Sequence, residues 1–281
     1  MKTYNNRFNL TPTVQVKQML GAQKMIKQPI SLYKYQSGND DSILNLVTCT
    51  SIMSSRVNLN DPYDSRAIIN DPNPIDVYNY LITKGAEATL VANDIVKNGQ
   101  YTENGRKYLD GQRAGLNKLL DSVALYCLSS NPKNVLMWSH YANSHKGFCI
   151  EYKPNCIPAI KMKYKAEIFK IDLINQVKAI FESSVNEYNG QVIEDVICTK
   201  LIDWEYESEY RLINAENGKL FQFEDGKSIH KFEYDPSQVA SIIFGCKMDI
   251  DKIYAIGKAL KYRPKFKMAV QTINGIDIKD L

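Results

Sequence analysis

Short apolar runs that alternate in polarity, or that are rich in β-branched residues, recur along the chain and predict β-strands. In LYKYQ (32–36), Lys34 falls on one face of the predicted strand, and Tyr33 and Tyr35 fall on the other. The other runs that predict strands are ILNLVTCTSI (43–52), VALYCLS (123–129), GFCIEY (147–152), EYRLINA (209–215), KFEY (231–234), VASIIFG (239–245) and FKMAVQTI (266–273).

Apolar residues at helical spacing predict helices between several of these strands. The predicted helices run from Pro74 to about Asn98, over 105–121, over NVLMWSHYA (134–142), over 166–202 with a break near Asn189-Gly190, and from Asp249 to Leu260. Asn131-Pro132 is the predicted start of the helix at 134–142, because Asn accepts hydrogen bonds at an N-cap and Pro suits a first turn.

This order of elements predicts an α+β fold with mixed central sheets flanked by helices. The final strand, helix and strand predict a pair of parallel strands joined by a crossover helix. Residues 1–29 are polar with weak helical spacing, and they predict an N-terminal arm or helix. Residues 30–281 predict a single domain, because no linker composition interrupts them.

Composition excludes several classes of protein. The 281 residues carry a net charge of +4, and basic residues are interleaved with acidic ones, so a clustered duplex-binding face is not expected. The six cysteines form no C-x-x-C pair, which argues against a zinc ribbon and predicts buried free thiols. No apolar stretch approaches the roughly 20 residues of a membrane span, so we expect a cytoplasmic protein with no membrane partner.

The segment NDPYD (60–64) places two carboxylates, Asp61 and Asp64, three residues apart around a proline. One interpretation is a loop that binds a metal or a ligand. The other is an Asx-turn, in which side-chain oxygens accept hydrogen bonds from the amides of the loop. A hard cation prefers more oxygen ligands than this loop supplies, so we expect no metal.

A second candidate segment is MWSHYANSHKGF (137–148). His140 and His145 are five residues apart, which does not suit two metal ligands on one helical face. Two interpretations remain for the rest of the segment. His140 belongs to an aromatic packing cluster, or Trp138 and Tyr141 form a pocket wall that stacks on a planar ligand.

A third candidate segment is DWEYESEYRL (203–212). If it is a strand, Glu205, Glu207 and Glu209 share one face with Arg211. Like charges on one face repel each other, so this arrangement requires a partner or a function. A solvated edge strand is one interpretation. A site is the other, because paired carboxylates suit acid–base chemistry or the stabilisation of a cationic sugar.

Together, LYKY, NDPYD, MWSHYANSHKGF and DWEYESEYR resemble the bacterial family named domain of unknown function 2971, over roughly residues 32–245. The order of elements also resembles that of the ADP-ribosyltransferase superfamily, whose sheets are split. That comparison places Lys34 in the position of a first-strand Arg or His. It places Ser129 of LSS in the position of a serine motif, here without its middle Thr, and Glu207-Ser208-Glu209 in the position of a Glu-x-Glu motif.

This resemblance implies NAD as a substrate and assigns roles to individual residues. It implies that Glu209 stabilises an oxocarbenium-like ribose and that Glu207 orients or deprotonates the acceptor. Lys34 would hold a phosphate or ribose oxygen, and Ser129 would brace the site. The remaining residues expected at the nucleotide are Trp138, His140, Tyr141 and Arg211.

Three functions fit these segments. The first is an ADP-ribosyltransferase-like enzyme that consumes NAD, as a toxin or a phage-defence effector. The second is a non-enzymatic ligand-binding or sensor module, in which Glu207 and Glu209 pair with Arg211 and other basic residues. The third is a metal-dependent nuclease or hydrolase that uses Asp61, Asp64, Glu207 and His140. Convergence of Lys34, Ser129 and Glu209 in one pocket would favour the first.

Overall fold

The computed structural model describes residues 30–213, 218–222 and 228–281, and it describes the side chains of 30–213 and 231–281. The arm or helix predicted for 1–29 lies outside these residues. The described residues group into two compact units. The sheet unit contains the described parts of 30–58, 124–164 and 201–281, and the helical unit contains Leu59–Val123 and Lys165–Lys200.

The elements follow one another along the chain as an irregular mixture of strands and helices. The strands are β1 (Leu32–Gln36), β2 (Thr50–Ser55), β3 (Ala67–Asn70), β4 (Val96–Lys97), β5 (Gln100–Tyr101), β6 (Ala124–Ser129), β7 (Phe148–Tyr152), β8 (Ile160–Lys161), β9 (Lys163–Lys165), β10 (Phe169–Asp172), β11 (Thr199–Leu201), β12 (Glu209–Ile213), β13 (Gly218–Gln222), β14 (Ser228–Glu233), β15 (Val239–Phe244), β16 (Lys265–Thr272) and β17 (Gly275–Asp280). The α-helices are α1 (Asp40–Val47), α2 (Pro74–Ile82), α3 (Ala86–Ile95), α4 (Glu103–Asp121), α5 (Val135–Tyr141), α6 (Leu173–Phe181), α7 (Val185–Ile197) and α8 (Ile250–Ala259). Short 3-10 helices cover Arg56–Asn58, Ile202–Glu207 and Pro236–Gln238.

The sheet unit is built on one mixed sheet with the strand order β13-β14-β2-β6-β1-β7-β15-β16-β17. Strand β12 pairs with β6 along its length and also pairs with β8. Strands β15 and β16 are parallel and are joined by α8, as the sequence predicted. Strand β1 pairs with β6 at Ser129, and β2 pairs with β6 at Ala124 and Leu125. The sheet therefore forks beside β6, because β1 and β2 pair with different ends of that strand.

Alternating side chains of the sheet pack into two separate cores. On one face, Ile150 of β7 belongs to a cluster that includes Leu46 of α1 and Ile256 of α8, and we call this the helix-pair face. On the other face, Cys149 belongs to a cluster that includes Trp138 of α5, and we call this the α5 face. The α+β fold with a mixed sheet flanked by helices is therefore confirmed.

The helical unit has its own apolar core. Helices α2, α3 and α6 contribute buried side chains that include Leu81, Ala92 and Val177. Strands β3 and β10 pair in parallel within this unit, and β4 and β5 form a short hairpin. The single domain predicted for 30–281 stays a prediction, because two compact units can belong to one domain or to two. Within the described part of the chain, no helix is long and apolar enough to cross a membrane.

Several predicted elements differ from the structure in extent or type, and some strands were not predicted. The start of the strand predicted at 43–52 is helix α1, because Asn39 accepts a hydrogen bond from the Ser42 amide at 2.9 Å and caps it. The helices predicted over 166–202 are separated at Ser183, which has a φ of 56°, rather than at Asn189-Gly190. The predicted last strand is followed by a further strand, β17, with which it forms a hairpin.

Candidate functional site

The predicted acidic strand is interrupted before it reaches the sheet. Residues Ile202–Glu207 form a 3-10 helix, and Ser208 takes a left-handed conformation with a φ of 47°. Strand β12 begins only at Glu209. The prediction that Glu205 shares a strand face with the other carboxylates was therefore wrong, and Glu205 is exposed. Glu207 and Glu209 remain together because the left-handed residue turns the chain between two buried positions.

Glu209 and Arg211 form an ion pair with almost no exposure to solvent. Arg211 Nε donates to Glu209 Oε1 at 2.7 Å, and its Nη2 donates to Oε2 at 3.1 Å. Glu209 is 4% exposed and Arg211 is 0% exposed. A two-pronged contact of this kind fixes both planar groups and occupies both carboxylate oxygens. The alternative of a solvated edge strand is excluded at these two residues.

Glu207 is held by two neighbouring elements. Its carboxylate accepts a hydrogen bond from the Tyr141 hydroxyl at 2.5 Å, and its backbone carbonyl accepts one from Ser129 Oγ at 2.6 Å. Ser129 lies opposite Glu209 in the register of β6 and β12, and opposite Tyr33 in the register of β6 and β1. The structure therefore brings together five residues on the α5 face, namely Ser129, Tyr141, Glu207, Glu209 and Arg211.

Helix α5 supplies the aromatic part of this region. Its N-cap is Asn134, which accepts hydrogen bonds from two amides of the first turn, so the predicted start at Asn131 was wrong. Trp138 is fully buried, donates to the Pro132 carbonyl at 2.8 Å, and packs edge-on against Tyr35. His140 is exposed beside Tyr141. Trp138 is thus a core residue, whereas His140 lies at the surface.

Lys34 lies on the helix-pair face, opposite Ser129 and Glu209. Its ammonium group donates to the Cys127 carbonyl at 3.0 Å and lies 4.7 Å from the centre of the Tyr126 ring, beside the fork of the sheet. Burial lowers the pKa of Lys34, and the nearby Cys127 and Glu209 partly offset that effect. Lys34 is therefore close enough to Glu209 for an electrostatic interaction, but its side chain leaves the strand on the other face.

A row of polar residues crosses the α5 face, and the sequence singled out only Glu209 and Ser129 of it as site candidates. Strand register places Glu209 opposite Ser129, Ser129 opposite Tyr33, Tyr33 opposite Glu151, and Glu151 opposite Ser241. We call these five residues the polar row. Its sequence signal is a polar residue inside an otherwise apolar strand, as in Glu151 of FCIEY and Ser241 of VASIIF.

Glu151 is the centre of the second half of the polar row. Its carboxylate accepts hydrogen bonds from Lys267 Nζ at 2.8 Å, from the Tyr33 hydroxyl at 3.3 Å, and from Ser241 Oγ. Burial alone would raise the pKa of Glu151, but the bonds from Lys267 and Ser241 outweigh it and lower the pKa. Burial and the adjacent Glu151 raise the pKa of Tyr33 to about 12, so this phenol keeps its proton.

The loop after α5 has a strained backbone. Asn143, Ser144 and His145 all have positive φ values, of 48°, 53° and 70°. Residues other than glycine adopt this conformation at a cost. A Cβ on Gly147 would lie 2.0 Å from the Gln36 carbonyl oxygen, so the loop packs tightly against the end of β1.

His145 is partly enclosed in this loop. Its Nε2 lies 3.1 Å from Ser139 Oγ, and its buried Nδ1 has no hydrogen-bond partner within the described residues. Burial and the nearby Lys247 lower the pKa of His145. In the usual nucleophile–base arrangement of Ser and His, a third group orients the imidazole. Ser139 donates instead to the Val135 carbonyl, which is consistent with a packing role.

The NDPYD loop belongs to the helical unit and forms the predicted Asx-turn. Asp61 Oδ1 accepts a hydrogen bond from the Tyr63 amide at 2.9 Å. Asp64 accepts one from Ser65 and lies 3.2 Å from Lys200 Nζ in a buried ion pair. Among the described side chains, no group of three His, Cys, Asp or Glu residues is placed to hold a metal ion.

Comparison with known proteins gives one match. The model of a family described as "Protein of unknown function (DUF2971)" matches residues 137–212, which include most of α5 and nearly all of β12. The match is shorter than the resemblance predicted for 32–245, and it does not include LYKY or NDPYD. No curated protein matches the chain. No solved structure matches it either. The comparisons thus identify one segment as similar to a family without an assigned activity.

Proposed function

We propose that the chain is a non-enzymatic ligand-binding or sensor module, with its site on the α5 face of the sheet unit. The observation that carries this proposal is that both candidate catalytic carboxylates are buried and already bonded to other side chains. Glu207 and Glu209 are 3% and 4% exposed, and they are bonded to Tyr141 and Arg211. A carboxylate that stabilises a sugar cation must lie against that sugar. The carboxylates of Glu207 and Glu209 are instead bonded to neighbouring side chains, which suits a structural role within the site.

The ligand of such a module would be a small molecule with a planar ring. Tyr33, Tyr141 and Tyr206 are partly buried and pack against the core of the α5 face. Aromatic side chains that are buried on one side and open on the other offer a stacking surface. The ion pair of Glu209 and Arg211 lies on the same face, and its two hydrogen bonds reduce the conformational freedom that binding would otherwise have to remove.

Two measurements on the purified chain test this proposal. Incubation with NAD, followed by chromatography for released nicotinamide and by label transfer, is expected to show no turnover above buffer. A thermal-shift screen of nucleotides, sugar phosphates and amino acids is expected to find at least one stabilising compound. Turnover that disappears in Glu209→Gln and persists in the exposed control Glu205→Gln would overturn the proposal, as would a screen without any stabilising compound.

The second candidate is the ADP-ribosyltransferase-like enzyme, acting as a toxin or a phage-defence effector with NAD as its substrate. It is supported by the register of β6 and β12, in which Ser129 lies opposite Glu209, because the resemblance assigns both residues to one site. Lys34 on the opposite face disfavours it. The same NAD assay separates the two candidates, because only the enzyme predicts turnover that depends on Glu209.

A further inference from the structure

Strand β17 forms one end of the mixed sheet. It pairs with β16 along one side, and no strand within the described residues pairs with its other side, which we call the outer edge. The Leu281 amide donates to the Phe266 carbonyl of β16 at 3.0 Å. Backbone groups alternate in direction along an antiparallel strand, so the odd-numbered residues of β17 point toward β16 and the even-numbered residues point to the outer edge. A row of outward amides and carbonyls is a template for a further strand.

The side chains of β17 alternate between apolar and charged. Ile276 and Ile278 pack against the core of the α5 face. Asp277 and Lys279 are open to solvent, and 46% of the Asp277 side chain is exposed. Lys133 Nζ donates to the Asp277 carboxylate at 2.7 Å, and this bond together with one from the Ile278 amide holds the pKa of Asp277 below its usual range. The strand at the outer edge therefore carries an ionised acid and a base, two residues apart.

We propose that the outer edge pairs with the outer edge of a second copy of this chain, so that two mixed sheets join into one. The two β17 strands run antiparallel, and a two-fold axis passes beside Ile278, which faces the partner's Ile278. Each copy uses the same surface, as in most dimers with two-fold symmetry. The inference is independent of the proposed ligand-binding function.

The charges of β17 select this register. An axis at Ile278 places Asp277 opposite the partner's Lys279, and the symmetry of the axis repeats that pair. An axis shifted by one residue, to Asp277 or to Lys279, instead places two like charges opposite each other. Opposite charges directly across a pair of strands stabilise it, and like charges destabilise it. Of these three registers, the one at Ile278 is therefore self-complementary in charge.

The backbone directions of β17 agree with this register. Ile278 points to the outer edge, so it and the partner's Ile278 form a hydrogen-bonded pair. Asp277 and the partner's Lys279 then form a non-hydrogen-bonded pair, in which side chains approach most closely. The Ile278 amide exchanges the Asp277 carboxylate for a carbonyl of the partner strand, which frees that carboxylate for the partner's Lys279. Because β17 is short and its charges are exposed, we expect a weak dimer with a Kd on the order of 10–100 µM.

The test is sedimentation equilibrium of the full chain at concentrations from about 5 to about 500 µM. The expected mass rises with concentration from the 32.1 kDa of one chain toward twice that value. Asp277→Lys and Lys279→Asp each place like charges across the axis, so each should weaken association about tenfold or more. An equimolar mixture of these two variants again places opposite charges across the axis and should recover the original association to within about threefold.

Lys265→Asp is the matched control, because Lys265 is exposed on β16, which has a strand on either side. It should leave the association unchanged. If Asp277→Lys loses its circular dichroism spectrum beside Lys133, the salt dependence of the original dimer decides instead. We then expect association to weaken severalfold between about 0.05 and about 0.5 M sodium chloride, because salt screens exposed charges.

The other outcomes count against the proposal. A mass that stays at that of one chain over the whole concentration range would overturn it. A dimer that both charge variants retain must be held by a different surface. Association that is lost in both variants and does not return in their mixture would contradict the register at Ile278, as would a dimer that weakens less than about twofold with salt.

Discussion

Arg211 shows how strongly a single residue of the α5 face depends on its partner. It is the second largest fully buried side chain among the described residues, and its guanidinium faces the carboxylate of Glu209. A buried ion pair contributes little net stability compared with an apolar pair, but losing one partner leaves an uncompensated buried charge. The stability of β12 should therefore be sensitive to Glu209, whatever ligand the site binds.

We expect Glu209→Gln to lower the free energy of unfolding by about 3–5 kcal/mol, because the Arg211 charge would remain buried without its carboxylate. Glu205→Gln is the matched control on the exposed 3-10 helix and should change stability by no more than about 0.5 kcal/mol. Denaturation in guanidinium chloride measures both values. Equal losses in the two variants would contradict the ion-pair argument.

At the residue scale, the sequence offered the pairing of Glu209 with Arg211 as one alternative, but it did not identify Tyr141 and Ser129 as the residues that hold Glu207. Glu207, Glu209 and Arg211 were singled out because like charges at that spacing require a partner. The sequence did not determine whether Lys34 or Tyr33 lies on the same face as Ser129. Alternation showed that they point to opposite faces, but only the register of β1 on β6 determines which one faces Ser129.

At the scale of a single element, helix α4 allows two of its glycines to be compared directly. It contains Gly105 and Gly111, both within Glu103–Asp121. A Cβ on Gly105 would lie 2.2 Å from the Ile95 carbonyl oxygen, whereas a Cβ on Gly111 meets nothing within 4 Å. The same residue type therefore serves close packing at one position and only weakens the helix at the other.

Gly111→Ala should stabilise the chain by about 0.5–1 kcal/mol, because alanine restricts the unfolded backbone and no neighbour obstructs its methyl group. Gly105→Ala should destabilise it by about 1–3 kcal/mol, because the methyl group collides with the α3 backbone. Thermal unfolding followed by circular dichroism measures both changes. Stabilisation in both variants would contradict the close approach at Gly105.

Elements with a single strong pattern were predicted well, and elements with competing patterns were not. Strands β6, β7 and β15 and helices α4 and α5 lie where apolar spacing predicted them. Helix α1 was missed because ILNLV fits a strand as well as a helix when periodicity alone is considered. The deciding feature was local, namely the Asn39 cap and the two aspartates of the first turn.

At the scale of the whole molecule, the exposure of each cysteine shows which side chains the core encloses. All six are free, as the sequence predicted, but the predicted burial is correct only for Cys149 and Cys198. Cys246 is exposed, whereas Cys149 and Cys198 are buried. Burial and the nearby Glu151 raise the pKa of Cys149 well above its ordinary value, so its thiol is both shielded and protonated.

We expect a maleimide to label Cys246 first and to label Cys149 and Cys198 more slowly, by on the order of a hundredfold or more, because these two react only after the structure opens. Mass spectrometry of timed digests measures each rate. In Cys246→Ser the fast phase should disappear while the slow phase is unchanged. Labelling of Cys149 as fast as that of Cys246 would contradict the burial of the sheet core.

The sequence by itself determined the α+β class, strands such as β6, β7 and β15, the free cysteines and the carboxylates that need a partner. These features depend on local periodicity and on charges close together in the chain. The tertiary structure decided that Glu209 pairs with Arg211 in a buried contact, that Lys34 lies on the other face, and that Tyr33 and Glu151 join a polar row. These features depend on strand register, because neighbouring positions in a sheet can be more than a hundred residues apart in the chain.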